Sequence, residues 1–175
     1  FRDLMVTAKI VEGRHAHPHT SFHINPGSRQ VLENVAEHGG VLSLLRAGAR
    51  IHEPGCLGCI GMGQAPGTGQ VSLRTFPRNF PGRSGTKNAQ VYLGSPETCA
   101  AAALTGVFTD PRDLGREMAY PRVKDPEKYL VDEASFIFPS EEGRKVEVIR
   151  GPNIKQLPTF DPLPDTLAAE VVLKV

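Results

Sequence analysis

A glycine-rich stretch with two closely spaced cysteines, at residues 54–83, constrains this chain more than any other feature. Cys56 and Cys59 are three positions apart, and the glycines around them are Gly55, Gly58, Gly61 and Gly63. Thiolates are soft ligands that suit zinc or the iron of an iron–sulfur cluster. Glycines let the backbone come close to a bulky inorganic centre and donate N–H groups to its sulfurs. The stretch therefore predicts a loop that holds a soft metal centre.

The spacing of the two cysteines leaves three kinds of site open: two ligands of an iron–sulfur cluster, half of a zinc site, or a redox dithiol. A structural zinc site would need a second pair of cysteines, and Cys99 is the one cysteine left in the chain. Cys99 stands among alanines within a predicted helix. We interpret it as a small, buried, apolar residue and not as a metal ligand.

Two arginines, Arg78 and Arg83, follow in the same stretch and flank the segment Asn-Phe-Pro-Gly. Guanidinium groups bind carboxylates through paired, charge-assisted hydrogen bonds. The alternative is two solvent-exposed arginines in a polar loop, because the spacing alone does not make their side chains converge. A soft metal centre beside a carboxylate clamp favours metal-assisted chemistry on a small polycarboxylate.

Four histidines crowd one early segment of the chain: His15, His17, His19 and His23. Alternating histidines can bind a metal ion, but Pro18 interrupts this run. We interpret the segment as a solvated loop between a helix and a strand and not as a metal site.

The first fifty residues alternate between helical and strand patterns. In chain order they predict a helix at 1–11, a strand at 21–25, a helix at 28–37 capped by Ser28, a short helix at 41–47 and a strand at 49–52. Helix followed by strand, twice, predicts a parallel α/β layer. The two cysteines then fall just past the carboxyl end of a strand, where open α/β sheets bind ligands.

The next part of the chain contains one strong helix start. Ser95, Pro96 and Glu97 combine a capping hydroxyl, a proline in the first turn and an acid near the positive end of the helix. Gly106 is placed to close this helix. Two segments precede it: residues 71–76, which could be a strand or an extended loop, and residues 90–93, which are predicted to be a short strand.

From about Met118 onward, prolines punctuate a charged sequence, which is typical of an extended connector. We therefore divide the chain into an α/β domain at 1–117, a linker at 118–166 and the first strand of a further domain at 167–175. No apolar run approaches the length that would span a bilayer. The formal net charge of +1 gives no electrostatic reason to expect nucleic acid or an anionic membrane as a partner. Three cysteines, an odd number, favour reduced thiols over a disulfide framework.

Several segments of the chain, in this order, resemble the aconitase family, and more narrowly the third domain of a bacterial-type aconitate hydratase. They are FRDLMVTAKIVEGR, INPGSRQVLENVAEHGG, GCLGCIGMGQAP, RTFPRNFPGRSGT and VYLGSPETCAAAALTG. The Cys-x-x-Cys motif alone would be weak evidence, whereas the ordered set is specific. The expected fold is a three-layer α/β/α domain with a mainly parallel sheet, truncated at its amino end and followed by a linker to a swivel domain.

The resemblance also implies a set of site residues. Cys56 and Cys59 match the second and third of the three cysteines that bind a 4Fe–4S cluster in the family, and the first is expected a few residues upstream of Phe1. Arg78 and Arg83 match positions that hold substrate carboxylates. Many family members have an asparagine where this chain has a proline at position 77, which supplies neither a side-chain hydrogen bond nor a backbone donor. No catalytic acid or base is assigned to this chain, which is expected to be inactive by itself.

The function that the resemblance implies is that of a cytoplasmic hydro-lyase of the tricarboxylic acid cycle, an aconitate hydratase. It would interconvert citrate and isocitrate through cis-aconitate, with the remaining domains of the same chain as partners. An alternative in the same superfamily is a 3-isopropylmalate or homoaconitate isomerase, in which the swivel domain is usually a separate subunit. The long linker favours the single-chain enzyme. A third alternative, from a different class, is a non-catalytic binding module with a degenerate site.

Overall fold

A computed structural model describes residues 1–115, 120–170 and 172–173. The chain divides into two compact units, Phe1–Ala134 and Ser135–Val175. The helices and strands of the first unit are α1 (Arg2–Val11), β1 (His23–Ile24), α2 (Arg29–Glu37), α3 (Gly40–Arg46), β2 (Arg50–Ile51), α4 (Leu57–Ile60), β3 (Val71–Arg74), β4 (Gln90–Leu93) and α5 (Pro96–Thr105). A 3-10 helix follows α5 at Pro111–Leu114.

The strands pair in parallel, as the alternation of helix and strand predicts. β1 pairs with β2, with His23 opposite Arg50, and β3 pairs with β4, with Val71 opposite Gln90. Among the described residues these pairs form two separate two-stranded sheets. The mixture of helices and small parallel sheets is compatible with the predicted α/β class, while the single sheet of a three-layer domain stays a prediction.

The helix boundaries follow from capping residues in the sequence. The hydroxyl of Ser28 accepts a hydrogen bond from the backbone N–H of Val31 at 3.1 Å, and the hydroxyl of Ser95 accepts one from Thr98 at 3.1 Å. Each bond satisfies a donor that the first turn of a helix leaves without a partner. Gly106 ends α5 at φ 80°, a left-handed conformation that favours glycine. The predicted caps of α2 and α5 are confirmed.

The hydrophobic core lies where α1 packs against α3 and α5. Its fully buried side chains include Ile10 and Val11 of α1 and Leu44 of α3. Ala100 of α5 is also fully buried, and its small side chain lets the backbone of α5 approach α1. Burying each of the large aliphatic side chains contributes about 1.5–3 kcal/mol. This core supports the strands that lead to the cysteines.

The segment after residue 120 begins as part of the first unit. The Asn34 side chain donates to the backbone carbonyl of Leu130 at 3.0 Å and accepts from its N–H at 2.9 Å. Gln30 donates to the carbonyl of Asp132 at 2.7 Å. These bonds hold the segment on α2, and the first unit extends to Ala134. The predicted boundary at 117/118 lies outside the described residues and stays a prediction.

The second unit, Ser135–Val175, has little regular structure where it is described. It contains a 3-10 helix at Glu141–Lys145, and large apolar side chains such as Ile137 and Ile149 are almost fully exposed. The described part of the predicted strand at 167–175 has no strand hydrogen bonding, and residues 171, 174 and 175 lie outside the described residues. In the described parts of the chain, we find no helix with the length and apolar character needed to cross a membrane.

Candidate metal centre

The two cysteines lie on a short helical turn. Cys56 is the residue before α4, and Cys59 lies within that helix. Residues three apart on a helix share a face, so the two side chains are neighbours. Cys59 is 5% exposed and Cys56 is exposed. The sequence predicted a glycine-rich bend here and missed the helical turn.

A glycine, Gly61, ends this helical turn. Gly61 has φ 83°, a left-handed conformation that favours glycine. The N–H of Gly61 donates to the carbonyl of Gly58 at 3.2 Å, and the N–H of Met62 donates to that of Leu57 at 2.9 Å. We call residues 56–62 the cysteine turn. Its compactness follows from the glycines that the sequence places there.

Arg83 is in direct contact with the cysteine turn. Its Nη2 donates to the Sγ of Cys59 at 3.2 Å. This hydrogen bond is the main reason why the pKa of Cys59 lies below that of an ordinary thiol; burial opposes the shift, and Cys56 and the charge of Arg74 add to it. The same bond raises the pKa of Arg83. Because the thiolate is the form that binds metal, the contact favours the ligand state of Cys59.

Arg74, at the end of β3, is the second cation of the site. It is 7% exposed, and its Nη1 donates to the hydroxyl of Ser84 at 2.8 Å. Nη1 also approaches the carbonyls of Gly58 and Cys59 at 3.4 and 3.5 Å, and Nη2 donates to the carbonyl of Arg78. Sequence reasoning missed this residue.

Three buried nitrogens in this region have no hydrogen-bond partner among the described residues: Nε of Arg74, Nε of Arg83 and Nδ2 of Asn25. Two of them belong to cations beside the cysteines. The site therefore has more hydrogen-bond donors than acceptors. Such a surplus suits an anionic group, because buried donors without partners cost free energy.

The structure places Arg78 differently from Arg83. Its side chain is exposed and makes no hydrogen bond or ion pair within the described part of the chain. Its backbone carbonyl is the group that Arg74 holds. We call residues 75–84 the arginine loop. The structure brings Cys56, Cys59 and Arg83 together, whereas the predicted clamp formed by Arg78 with Arg83 stays a prediction.

A histidine pair lies near the cysteine turn and was not predicted. Nδ1 of His23 and Nε2 of His52 are 2.9 Å apart, and their rings are tilted at 5.1 Å between centroids. Burial, followed by the charges of His52 and Arg50, lowers the pKa of His23. His23 is thus a half-buried residue of β1, as the strand predicted at 21–25 indicates, and grouping it with the loop histidines was wrong. Its partner, 29 positions away, was not predicted.

Cys99 lies apart from this site in α5, where it is half-buried. Burial, with a smaller contribution from Glu97, raises its pKa to about 11. A thiol of this kind stays protonated at neutral pH. This agrees with the interpretation of Cys99 as a packing residue.

The donors on this chain fit part of an iron–sulfur centre. Cys56 and Cys59 present two sulfurs on one face of a turn, beside two guanidinium groups with buried donors to spare. Over residues 1–115, 120–170 and 172–173, no three His, Cys, Asp or Glu side chains form a group that could hold a metal ion. A third thiolate would therefore have to come from elsewhere, as the resemblance implies.

Comparisons with known proteins identify the family of this chain. The sequence profile of the aconitase family (aconitate hydratase) matches residues 1–106. The chain is 44% identical over 118 residues to the homoaconitase large subunit of Thermus thermophilus, an alignment that covers 66% of this chain and 28% of that protein. This chain belongs to the aconitase family.

Two further relatives are 3-isopropylmalate dehydratase large subunits. The one from Thermotoga maritima is 41% identical over 112 residues, covering 63% of this chain and 27% of the relative. The one from Methanopyrus kandleri is 42% identical over 117 residues, covering 65% and 29%. The chain thus spans little more than a quarter of the length of the curated relatives it matches.

Proposed function

We propose that this chain is the cluster-binding part of an aconitase-family hydro-lyase that isomerises a hydroxy-polycarboxylic acid by dehydration and rehydration. The observation that carries the proposal is the hydrogen bond between Arg83 and Cys59. In it, a guanidinium, the kind of group that binds carboxylates, lies at hydrogen-bond distance from a thiol, the kind of group that binds soft metals. The family of the chain supports the same chemistry.

In this proposal Cys56 and Cys59 hold a 4Fe–4S cluster, with a third cysteine from outside residues 1–175. When bound, the cluster supplies an iron with an open coordination position that acts as a Lewis acid on the hydroxyl that leaves. Arg83 favours the thiolate of Cys59, as the lowered pKa of that thiol indicates. Arg83 also has more donors than the one bonded to Cys59, and they remain available to a substrate carboxylate.

Arg78 would provide the second half of the carboxylate clamp. Its backbone is held through its carbonyl, while its side chain is exposed and makes no hydrogen bond or ion pair with the described residues. A fixed backbone with an uncommitted side chain suits a residue that contacts substrate only when substrate is present. The group that removes the carbon-bound proton is not among the residues assigned here.

We propose 3-isopropylmalate or a homoaconitate-type acid as the substrate, in preference to citrate and isocitrate. The relatives described above are named as a homoaconitase and as 3-isopropylmalate dehydratases. These names favour the alternative predicted from the sequence, a 3-isopropylmalate or homoaconitate isomerase. They favour it over an aconitate hydratase of the tricarboxylic acid cycle. Their designation as large subunits also favours a separate small subunit as the partner.

A single-chain aconitate hydratase is the second candidate, and one observation favours it. The chain continues past the matched region into residues 135–170, whose side chains are exposed and whose regular structure is one 3-10 helix. Such a segment suits a linker to a further domain of the same polypeptide. The cytoplasmic location and the three-part division of the chain also stay predictions.

We also infer that the two small sheets belong to one larger parallel sheet in the full-length protein. A cavity of about 920 Å³ is lined by residues of β1, β3 and α5. Strands from the rest of the polypeptide would fill this space and pair with the free edges of β1 and β3. That arrangement would complete the predicted three-layer domain.

The test is a substrate comparison with the full-length protein, assembled with any partner subunit and reconstituted anaerobically with iron and sulfide. We expect kcat/KM for 3-isopropylmalate or homoaconitate to exceed that for citrate at least about tenfold, because a pocket shaped for one apolar group discriminates by about this factor. A preference for citrate would transfer the assignment to the second candidate. A fully loaded cluster with no activity on any of these acids would contradict the hydro-lyase.

A further inference from the structure

Arg74 is the feature of the metal centre that the proposed function does not use. Its side chain is 7% exposed, it has no Asp or Glu partner among the described residues, and its Nε has no hydrogen-bond partner there. Burying a charge costs free energy unless the charge is paired and hydrogen-bonded. A buried arginine without a carboxylate partner therefore indicates a role at the site.

The contacts of Arg74 join two segments that are separate in sequence. On one side its Nη1 approaches the carbonyls of Gly58 and Cys59, in the cysteine turn. On the other side it donates to the hydroxyl of Ser84 and to the carbonyl of Arg78, in the arginine loop. One planar group thereby fixes the segment that carries the thiols relative to the segment that carries Arg83.

This arrangement requires the shape of a guanidinium as well as its charge. Arginine offers five N–H donors in a rigid fork, whereas lysine offers three donors on one flexible nitrogen. A lysine at position 74 could preserve the charge, but its single nitrogen cannot reproduce both the approach of Nη1 to the cysteine turn and the bond from Nη2 to the arginine loop. The two properties can therefore be separated by substitution.

The charge of Arg74 also lies beside Cys59, because its Nη1 approaches the carbonyl of that residue at 3.5 Å, while Arg83 donates to the Cys59 thiol at 3.2 Å. Two cations therefore lie beside the cysteine turn, and neither has an Asp or Glu partner among the described residues. Such a site is electrostatically incomplete without an anionic occupant. Thiolates with cluster sulfides would be such an occupant, and a fixed positive charge beside them would raise the reduction potential of the cluster.

We propose that Arg74 is a positioning residue of the metal centre, which fixes the cysteine turn against the arginine loop and supplies a permanent positive charge beside the thiolate ligands. The part that concerns the cluster rests on the proposed function. The part that concerns the two loops does not, so the two can fail separately.

The first experiment measures the loops without a cluster. Amide hydrogen exchange would be followed by mass spectrometry in full-length apoprotein with Arg74→Gln, Arg74→Lys or the control Arg46→Gln, which removes an exposed charge on α3. We expect exchange in both the cysteine turn and the arginine loop to be at least about tenfold faster in both Arg74 variants, because bonds from a charged donor are lost. The control should match the wild type.

The second experiment measures the cluster after anaerobic reconstitution. We expect Arg74→Gln to lower the midpoint potential of the cluster, Arg74→Lys to keep it near the wild-type value, and Arg46→Gln to leave it unchanged. A purely structural role would alter cluster content without moving the potential of the clusters that form. If Arg74→Gln does not fold, Arg74→Lys still tests the loops, and Ser84→Ala should speed exchange in the arginine loop alone.

The outcomes separate the two proposals. Unchanged exchange in either loop of the folded Arg74 variants would overturn the positioning role, whatever the cluster does. An unchanged midpoint potential in Arg74→Gln would overturn the electrostatic role. A wild-type protein that binds no iron and sulfide would instead contradict the proposed function, while faster exchange in both loops would still support the positioning of the loops by Arg74.

Discussion

The proposed chemistry depends most on the thiol of Cys59. Its pKa is lowered chiefly by the hydrogen bond from Arg83, against the opposing effect of burial. Cys99 has the reverse balance, since burial raises its pKa to about 11. The pKa values of two thiols of one chain are therefore shifted in opposite directions, for reasons that are local to each.

We expect these thiols to differ in the pH dependence of their alkylation. In apoprotein, the rate profile of Cys59 should have its midpoint below that of an ordinary thiol, whereas Cys99 should react only at strongly alkaline pH. Arg83→Gln should move the Cys59 midpoint upward, because the main cause of the lowered pKa is removed. Peptide mass spectrometry after timed alkylation measures both profiles in one sample.

The matched control is Arg78→Gln, because Arg78 is exposed and its side chain makes no hydrogen bond or ion pair with the described residues. It removes the same charge from the same loop and should leave both profiles in place. An equal shift from Arg78→Gln and Arg83→Gln would mean that general charge, and not the hydrogen bond, sets the state of Cys59.

The sequence predicted the thiols and Arg83 of the candidate site better than the residues that hold their segments in place. Cys56, Cys59 and Arg83 were singled out by residue type and motif, and they lie together. Arg74 and the partner of His23 were missed because no local pattern signals them. Both act through contacts between segments that are distant in sequence, and only the folded chain shows which loops an arginine spans.

Among the secondary-structure elements, those with strong end signals were the most predictable. Ser28 and Ser95 cap α2 and α5 as their positions indicate. The turn α4 was missed because glycines on both sides favour a bend over a helix. The sequence also did not predict that the strands pair into two small sheets. A strand pattern indicates the direction and burial of a strand but not how many other strands lie beside it.

The glycines near the site serve different purposes, and Gly85 is the one that a side chain would disturb most. It has φ 76°, and a Cβ there would lie 2.3 Å from the carbonyl oxygen of Pro66. Gly69 has a similar φ of 71° but open space around the same position. A substitution at Gly69 therefore measures the cost of backbone strain alone, and one at Gly85 adds the cost of a steric clash.

We expect Gly69→Ala to destabilise the protein by about 1 kcal/mol, since a left-handed conformation costs a residue with a Cβ about that much. Gly85→Ala should cost about 2 kcal/mol more, because the backbone at the end of the arginine loop must move. Urea unfolding of both variants measures the difference. Equal losses would mean that the contact between Gly85 and Pro66 imposes no constraint on the loop.

On the scale of the whole molecule, the chain spans little more than a quarter of the length of the relatives it matches. Under the proposed function it would provide two thiols and a set of arginines, and the third thiolate and the proton-transfer group would come from the rest of the protein. Among the described residues, β1 and β3 each pair with a single strand, and both line one cavity, which fits the same proposal. The proposed function therefore has to be tested on the full-length protein.

The most direct measurement is iron and acid-labile sulfide per protomer in the full-length protein after anaerobic reconstitution, compared across Cys56→Ser, Cys59→Ser and Cys99→Ser. We predict that the wild type and Cys99→Ser each contain iron and sulfide in equal amounts. Cys56→Ser and Cys59→Ser should lose most of both. Zinc in place of iron, or a cluster that persists without Cys56 and Cys59, would contradict the account.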